Sequence, residues 1–89
     1  MAWTVELSGT AERDLRRLDA QQSRRILMFL HQRVAKAENP RNWGKALHGS
    51  RFGELWRYRV GHYRLICKIE DDRLAVLVIR VGHRKEIYR

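Results

Sequence analysis

The chain has 89 residues, which predicts a single domain spanning residues 1–89 with a small core, and its one cysteine fits a reducing cytoplasm. A formal net charge of +9 indicates an acidic partner, such as a nucleic acid, an anionic membrane or an acidic protein. A membrane partner is disfavoured because no apolar run approaches the roughly 20 residues of a spanning helix and the start lacks a signal-peptide pattern.

The N-terminal half predicts one strand followed by two helices. Apolar and polar residues alternate over 3–7, which is the period of a strand. Ser8 begins a group of hydroxyl residues suited to a helix N-cap, and apolar residues at helical spacing follow over 11–18. Asp19, with a glutamine three residues later, predicts the start of a second helix, which ends at Asn39 before proline. The predicted apolar face of this second helix comprises Ile26, Leu27, Phe29, Leu30, Val34 and Ala37.

Residues 39–54 predict an irregular crossover, because they contain three glycines and few periodic apolar residues. Trp43 has two interpretations, an aromatic anchor on the core or a platform for a stacked base, and the pattern favours the anchor. Lys45 and His48 also lie in this segment, and their spacing assigns neither to a ligand.

The stretch 56–68 predicts a β-hairpin. Apolar and basic residues alternate on both sides of Gly61, and glycine supplies the positive φ that a two-residue turn needs. A turn at this point places Arg59 directly opposite Arg64, and directly opposed residues share one face of a sheet. The other face of the hairpin is apolar and is predicted to pack on the helices; it carries Trp56, Tyr58, Val60, Tyr63, Leu65 and Cys67.

The polar face of the hairpin gathers Arg57, Arg59 and Arg64. Like charges that oppose one another on a sheet repel, and residues 55–69 contain four basic residues and no acidic one. A solvated basic face is one interpretation, and a surface that binds a phosphate backbone is the other. We favour the phosphate-binding surface because the chain as a whole is strongly basic.

Residues 74–81 form a nearly continuous apolar run, which is typical of an interior strand. The resulting order, β-α-α-β-β-β, predicts an α+β fold with a small twisted, mostly antiparallel sheet and a helical hairpin on one face. The arginine face is then expected to stay open. Gly82 is predicted to let the chain leave the sheet, and the tail 83–89 to fold back beside the open face; a frayed terminus is the alternative.

The residue types predict chemistry that needs neither a metal nor a cofactor. Histidines, acids and the one cysteine form no metal-ligand spacing, and Cys67 falls on the apolar side of the hairpin, as a core residue does. Metal-independent RNA cleavage suits a cluster of arginine, histidine and tyrosine, because the substrate 2′-OH is the nucleophile. Arginines would bind the phosphate, Tyr88 would align a base and move a proton, and His83 is a second candidate for proton transfer.

The segments K-A-L-x-G at 45–49, G-x-Y-R at 61–64 and V-G-x-R-x-x-x-Y at 81–88 resemble the RelE/ParE superfamily of bacterial toxin–antitoxin toxins, and within it the RelE branch. The resemblance runs over the whole chain, with its specific part in residues 45–88. It implies the fold derived above and a ribosome-dependent endoribonuclease that cuts mRNA in the A site and inhibits translation. It also implies a cognate antitoxin, expected to be acidic, and a cytoplasmic protein that contacts ribosomal RNA and mRNA.

The same resemblance implies roles for individual residues. Arg64 would contact the scissile phosphate, Arg84 would support the transition state, and Tyr88 would orient the nucleotide before the cut. Arg57 and Arg59 stand where some members have lysines, which weakens their role in proton transfer because arginine stays ionised. With His83 and Lys85, these two arginines complete the expected RNA-binding set.

Two other functions remain open from the sequence. A ParE-like toxin would inhibit DNA gyrase without cutting RNA, and it would share the fold and the basic surface. A nucleic-acid-binding module without chemistry would expose aromatic rings among the basic residues of the sheet. The hairpin alternation turns its aromatic residues inward, which disfavours that module.

Overall fold

The computed structural model describes residues 2–47 and 55–83 and shows two helices on one face of a five-stranded sheet. The predicted α+β fold is therefore confirmed. Short 3₁₀ turns lie at Pro40–Trp43 and Asp71–Arg73. The regular elements are β1 (Thr4–Leu7), α1 (Gly9–Arg17), α2 (Ala20–Phe29), β2 (Gly44–Ala46), β3 (Leu55–Val60), β4 (Tyr63–Glu70) and β5 (Ala75–His83).

The sheet order is β1-β5-β4-β3-β2, with β1 parallel to β5 and the other three pairs antiparallel. β5 pairs on both sides, so it is the interior strand that its apolar run predicted. The prediction that the chain leaves the sheet at Gly82 is wrong, because β5 continues to His83. The hairpin prediction is confirmed: Arg59 pairs with Arg64, and Gly61 has a φ of 61°.

A short strand, β2, lies within the segment predicted to be an irregular crossover. It is the edge strand that pairs with β3, with Gly44 opposite Tyr58. A Cβ atom at position 44 would collide with the carbonyl oxygen of Arg57, so a side chain there would push the two strands apart. Glycine at this position therefore allows the two backbones to approach closely. A strand of three residues is too short to show the alternation by which a sequence predicts strands, so the sequence does not predict β2.

Both helix starts are capped as the sequence predicted. The Ser8 hydroxyl accepts the backbone N–H of Ala11 at 3.0 Å, and the Asp19 carboxylate accepts that of Gln22 at 2.9 Å. Beyond α2 the chain continues as a π-helical turn over Leu30–Val34. The predicted apolar face is wrong at Leu27, which is 42% exposed because it points away from the sheet; Ile26, Leu30 and Val34 are buried against it.

The core lies between the helices and the apolar face of the hairpin, as predicted. Tyr58 is completely buried there, and its hydroxyl donates to the carbonyl of Pro40 at 2.8 Å. Cys67 is buried too, and burial raises the pKa of its thiol, which keeps it an unreactive core residue. No helix in residues 2–47 and 55–83 has the length and hydropathy to cross a bilayer.

Helix α1 completes the hydrogen bonding of β5 where β1 stops. β1 ends with Leu7 opposite Val78, and a β-bulge at Ile79 follows. The Ser8 hydroxyl donates to the carbonyl of Ile79 at 2.8 Å, and the Asp14 carboxylate accepts the N–H of Val81 at 2.9 Å. These side chains fix the last residues of β5, which directly precede Arg84 in the chain.

We expect Tyr58→Phe to lower the free energy of unfolding by about 1–3 kcal/mol, because the carbonyl of Pro40 loses its donor in a buried setting. Urea unfolding of the full chain measures the change. Tyr63→Phe is the matched control: Tyr63 lies on the same face, and its hydroxyl makes no hydrogen bond within the described residues. An equal loss in both variants would contradict a specific role for the Tyr58 hydroxyl.

Candidate functional site

The sheet face away from the helices carries basic residues from four strands. The register aligns Arg59 with Arg64 and Gly82 in one row across β3, β4 and β5. A second row aligns Lys45 with Arg57 on the neighbouring strand and ends at Arg80 on β5. We call this surface the basic face; it comprises Lys45, Arg57, Arg59, Arg64, Lys68 and Arg80.

Sequence reasoning found three members of the basic face and missed the other three. Lys45 stood in a segment predicted to lack strands, so no face was assigned to it. Lys68 continues the alternation of β4 and was detectable from it. Arg80 follows the bulge at Ile79, which shifts the alternation of β5 by one residue, and no pattern in the sequence predicts that shift.

The acidic residues near the basic face pair with cations outside the row of Arg59 and Arg64. Asp14 accepts from the Nε of Arg80 at 3.1 Å. Glu6, on the far edge strand β1, pairs with Arg73 at 2.8 Å. In the described part of the chain, no carboxylate lies within ion-pair distance of Arg59 or Arg64. The row of Arg59 and Arg64 therefore keeps a positive charge that no carboxylate of the described residues compensates.

Arg64 has the most unusual environment on the basic face. It lies on β4, the middle strand, and only 6% of the residue is exposed. Its Nε is enclosed and has no hydrogen-bond partner among residues 2–47 and 55–83. The expectation of an open arginine face is wrong at this position, because Arg64 is buried; Arg59 is exposed as expected. A buried guanidinium nitrogen without an acceptor costs free energy, which a bound anion would offset.

His83 lies away from the row of Arg59 and Arg64. It is the last residue of β5 and pairs with Tyr63, so the register places it on the apolar face of the hairpin. Its ring packs edge-on against Tyr63 at 6.0 Å and stacks on His62 at 6.2 Å between centroids. The structure therefore does not bring His83 onto the basic face, although it stands at the same end of the sheet.

The predicted residues Arg84, Lys85 and Tyr88 lie outside the described residues. The register still gives one relevant relation, because Gly82 stands opposite Arg64 on β5. Arg84 follows Gly82 by two residues in the chain. The roles of these three residues in phosphate and nucleotide contact stay predictions.

A cleft of about 310 Å³ opens at the β2 edge of the basic face. Its walls are Trp43, Lys45, Arg57 and Arg59, with Asn42 and Gly44 at its end. Trp43 does pack against Phe29, as an anchor would, with 6.5 Å between ring centroids. It is nevertheless 45% exposed, so it is only partly the core anchor that the sequence predicted.

A family model and one known protein match this chain over nearly its whole length. The family model described as the ParE toxin of the type II toxin–antitoxin system parDE matches residues 5–88. Toxin RelG of Mycobacterium tuberculosis is 34% identical over 89 residues, which cover 100% of this chain and 99% of that protein.

Solved structures share the fold over nearly the whole chain. A chain of the RelBE2 toxin–antitoxin complex from M. tuberculosis superposes with a TM-score of 0.85 and 30% identity, covering 94% of this chain and 100% of that one. A chain of the intact Escherichia coli RelBE complex gives a TM-score of 0.72 and 19% identity, covering 92% and 96%. At 19% identity, the second likeness concerns the fold alone.

Proposed function

The chain belongs to the RelE/ParE superfamily of type II toxin–antitoxin toxins, and on that basis we propose that it is a ribosome-dependent mRNA endoribonuclease. It cuts mRNA in the A site by attack of the substrate 2′-OH, without a metal ion, and so stops translation. The observation that carries this proposal is the buried Arg64 in the middle of a basic face, whose Nε lacks an acceptor in the part of the chain that the structure describes.

The reaction needs charge stabilisation more than it needs a protein nucleophile. The 2′ oxygen forms a bond to phosphorus while the bond to the 5′ oxygen breaks, and negative charge grows on the phosphate oxygens. Arg64 and Arg84 stabilise that charge, since a guanidinium pairs with two phosphate oxygens at once. Arg57, Arg59 and Lys85 hold neighbouring phosphates.

A proton must leave the 2′-OH, and another must reach the departing 5′ oxygen. The strand arginines stay ionised and are poor proton carriers. Tyr58 is no substitute, because it is buried on the opposite face, its hydroxyl donates to Pro40, and burial raises its pKa. Proton transfer then falls to Tyr88 or His83, and the position of His83 beside Tyr63 favours Tyr88.

The partners proposed for this activity follow from charge and from the relatives. A net charge of +9 suits the ribosomal RNA and mRNA as well as an acidic antitoxin. The RelBE2 and RelBE structures are complexes of a toxin with an antitoxin. We therefore propose that a cognate acidic antitoxin in the cytoplasm binds and silences this chain.

A gyrase inhibitor that does not cut RNA is the second candidate function. The matching family model is described as a ParE toxin, which favours this reading. Against it, inhibiting gyrase by binding gives no evident use for the enclosed Arg64, whose Nε has no acceptor among the described residues.

Induced expression in bacteria, followed by mapping of mRNA 5′ ends and of DNA breaks, tests the two functions. We expect the wild type to produce new ends within reading frames, and Tyr88→Phe to produce at least about 100-fold fewer, because the proton-transfer group is lost. DNA breaks without new mRNA ends would establish the gyrase reading instead. Cutting by Tyr88→Phe at the wild-type rate would remove the hydroxyl from the chemistry.

A further inference from the structure

Trp43 is held in a fixed position at the edge of the basic face. Phe29 packs edge-on against one side of the indole, with 88° between the ring planes, and the guanidinium of Arg33 lies 5.3 Å from the ring centroid. Despite these contacts, 45% of Trp43 is exposed. Since Trp43 also lines the cleft, it presents a preorganised aromatic surface there.

The cleft brings this indole together with two arginines of β3, Arg57 and Arg59. β2 and β3 pair Gly44 with Tyr58 and Lys45 with Arg57. Trp43 directly precedes β2 as the last residue of the 3₁₀ turn, and it lines the cleft together with Lys45 and Arg59. The residues that line the cleft include three cations and no acid. An exposed ring that adjoins a row of cations is the arrangement by which proteins hold single-stranded nucleic acid.

We propose that the cleft binds one unstacked nucleobase of single-stranded RNA, adjacent in the strand to the cut. Trp43 stacks on the base, and Lys45 and Arg59 bind the phosphate next to it. The choice of RNA as the ligand rests on the function proposed above. A volume of about 310 Å³ suits a single nucleotide rather than a duplex.

The aromatic residues of the hairpin pack inward, so base stacking falls to Trp43. Tyr58 is fully buried, and Tyr63 and Trp56 pack against the core. The large apolar side chains that are exposed in the described structure are Leu27, Met28 and Trp43, and of these Trp43 alone is aromatic. Base stacking on the basic face of the described structure therefore depends on a residue outside the hairpin.

Binding of a fluorescent single-stranded RNA, measured by anisotropy, tests the proposal. A second oligonucleotide keeps every phosphate but lacks the bases. We expect Trp43→Leu to weaken binding of the intact RNA about tenfold and to leave binding of the abasic strand unchanged, whereas Trp43→Phe keeps most of the affinity. Met28→Ala, which removes apolar surface that is 49% exposed on α2, is the matched control and should not change either.

Two results would overturn the proposal: equal weakening for both oligonucleotides, or no weakening for either. Quenching of the wild-type tryptophan fluorescence needs no variant and must occur with intact RNA but not with the abasic strand. If Trp43-dependent binding is present while no mRNA is cut, the nuclease proposal fails and the base site stands. If mRNA is cut while Trp43→Leu binds like the wild type, the base site alone fails.

Discussion

Arg64→Met is expected to reduce mRNA cleavage by about 100- to 1,000-fold, which is the usual effect of removing one preorganised donor to a developing negative charge. The same substitution should leave the free energy of unfolding unchanged or raise it. Arg64 is 6% exposed and its Nε has no acceptor in the described structure, so the wild type bears the cost of an enclosed cation. Methionine keeps an unbranched apolar stem without that charge.

Loss of activity with retained stability separates a binding arginine from a structural one. Cleavage is measured on ribosomes programmed with a defined mRNA, and stability by urea unfolding of the same preparations. Arg64→Lys is the control for charge: it keeps a cation but loses the planar fork, so we expect partial activity. A large fall in stability for Arg64→Met with cleavage retained would show that Arg64 supports the sheet and not the reaction.

The hairpin and the fold class could be predicted from the sequence because their determinants are local. Alternation over 56–68 and one glycine fix the pairing of Arg59 with Arg64, and the structure has that register. The caps at Ser8 and Asp19 likewise depend on residues three positions apart. Such short-range rules predict two helices and four of the five strands without reference to tertiary contacts.

The remaining features depend on contacts between distant segments. β2 exists because Gly44 lets its backbone approach Arg57, and a three-residue strand carries no periodic signal of its own. The bulge at Ile79, beside the Ser8 hydroxyl, turns Arg80 onto the basic face. The burial of Arg64 on the middle strand is likewise not determined by alternation within one hairpin.

The structure also tests the interpretation of this chain as a nucleic-acid-binding module without catalytic activity. The hairpin aromatics do pack inward, as their alternation predicted, yet Trp43 supplies an exposed ring at the edge of the arginine rows. An aromatic surface is thus compatible with both binding and cleavage. Stacking on Trp43 and charge stabilisation by Arg64 are separable, because their side chains lie on different strands or segments and are altered by independent substitutions.

Replacing Arg57 and Arg59 together by alanine should weaken binding of single-stranded RNA about 100-fold at low salt, since each removes a charge-assisted phosphate contact. Salt dependence gives a sharper expectation. Each neutralised phosphate of a single strand contributes about 0.7 to the slope of log affinity against log salt, so the double variant should lose about 1.4 from that slope. Anisotropy titrations across a series of salt concentrations measure both quantities.

Arg17→Ala with Arg24→Ala is the matched control, because it removes the same net charge from exposed positions on the helices. Those helices cover the opposite face of the sheet, so the control should keep nearly the whole wild-type slope. If the two double variants lose equal slope, the RNA responds to overall charge and does not dock on the basic face. If only the Arg57 and Arg59 double variant loses slope, the phosphates bind on the basic face. The strand register then determines where they bind, because it aligns Lys45 and Arg64 with these two arginines.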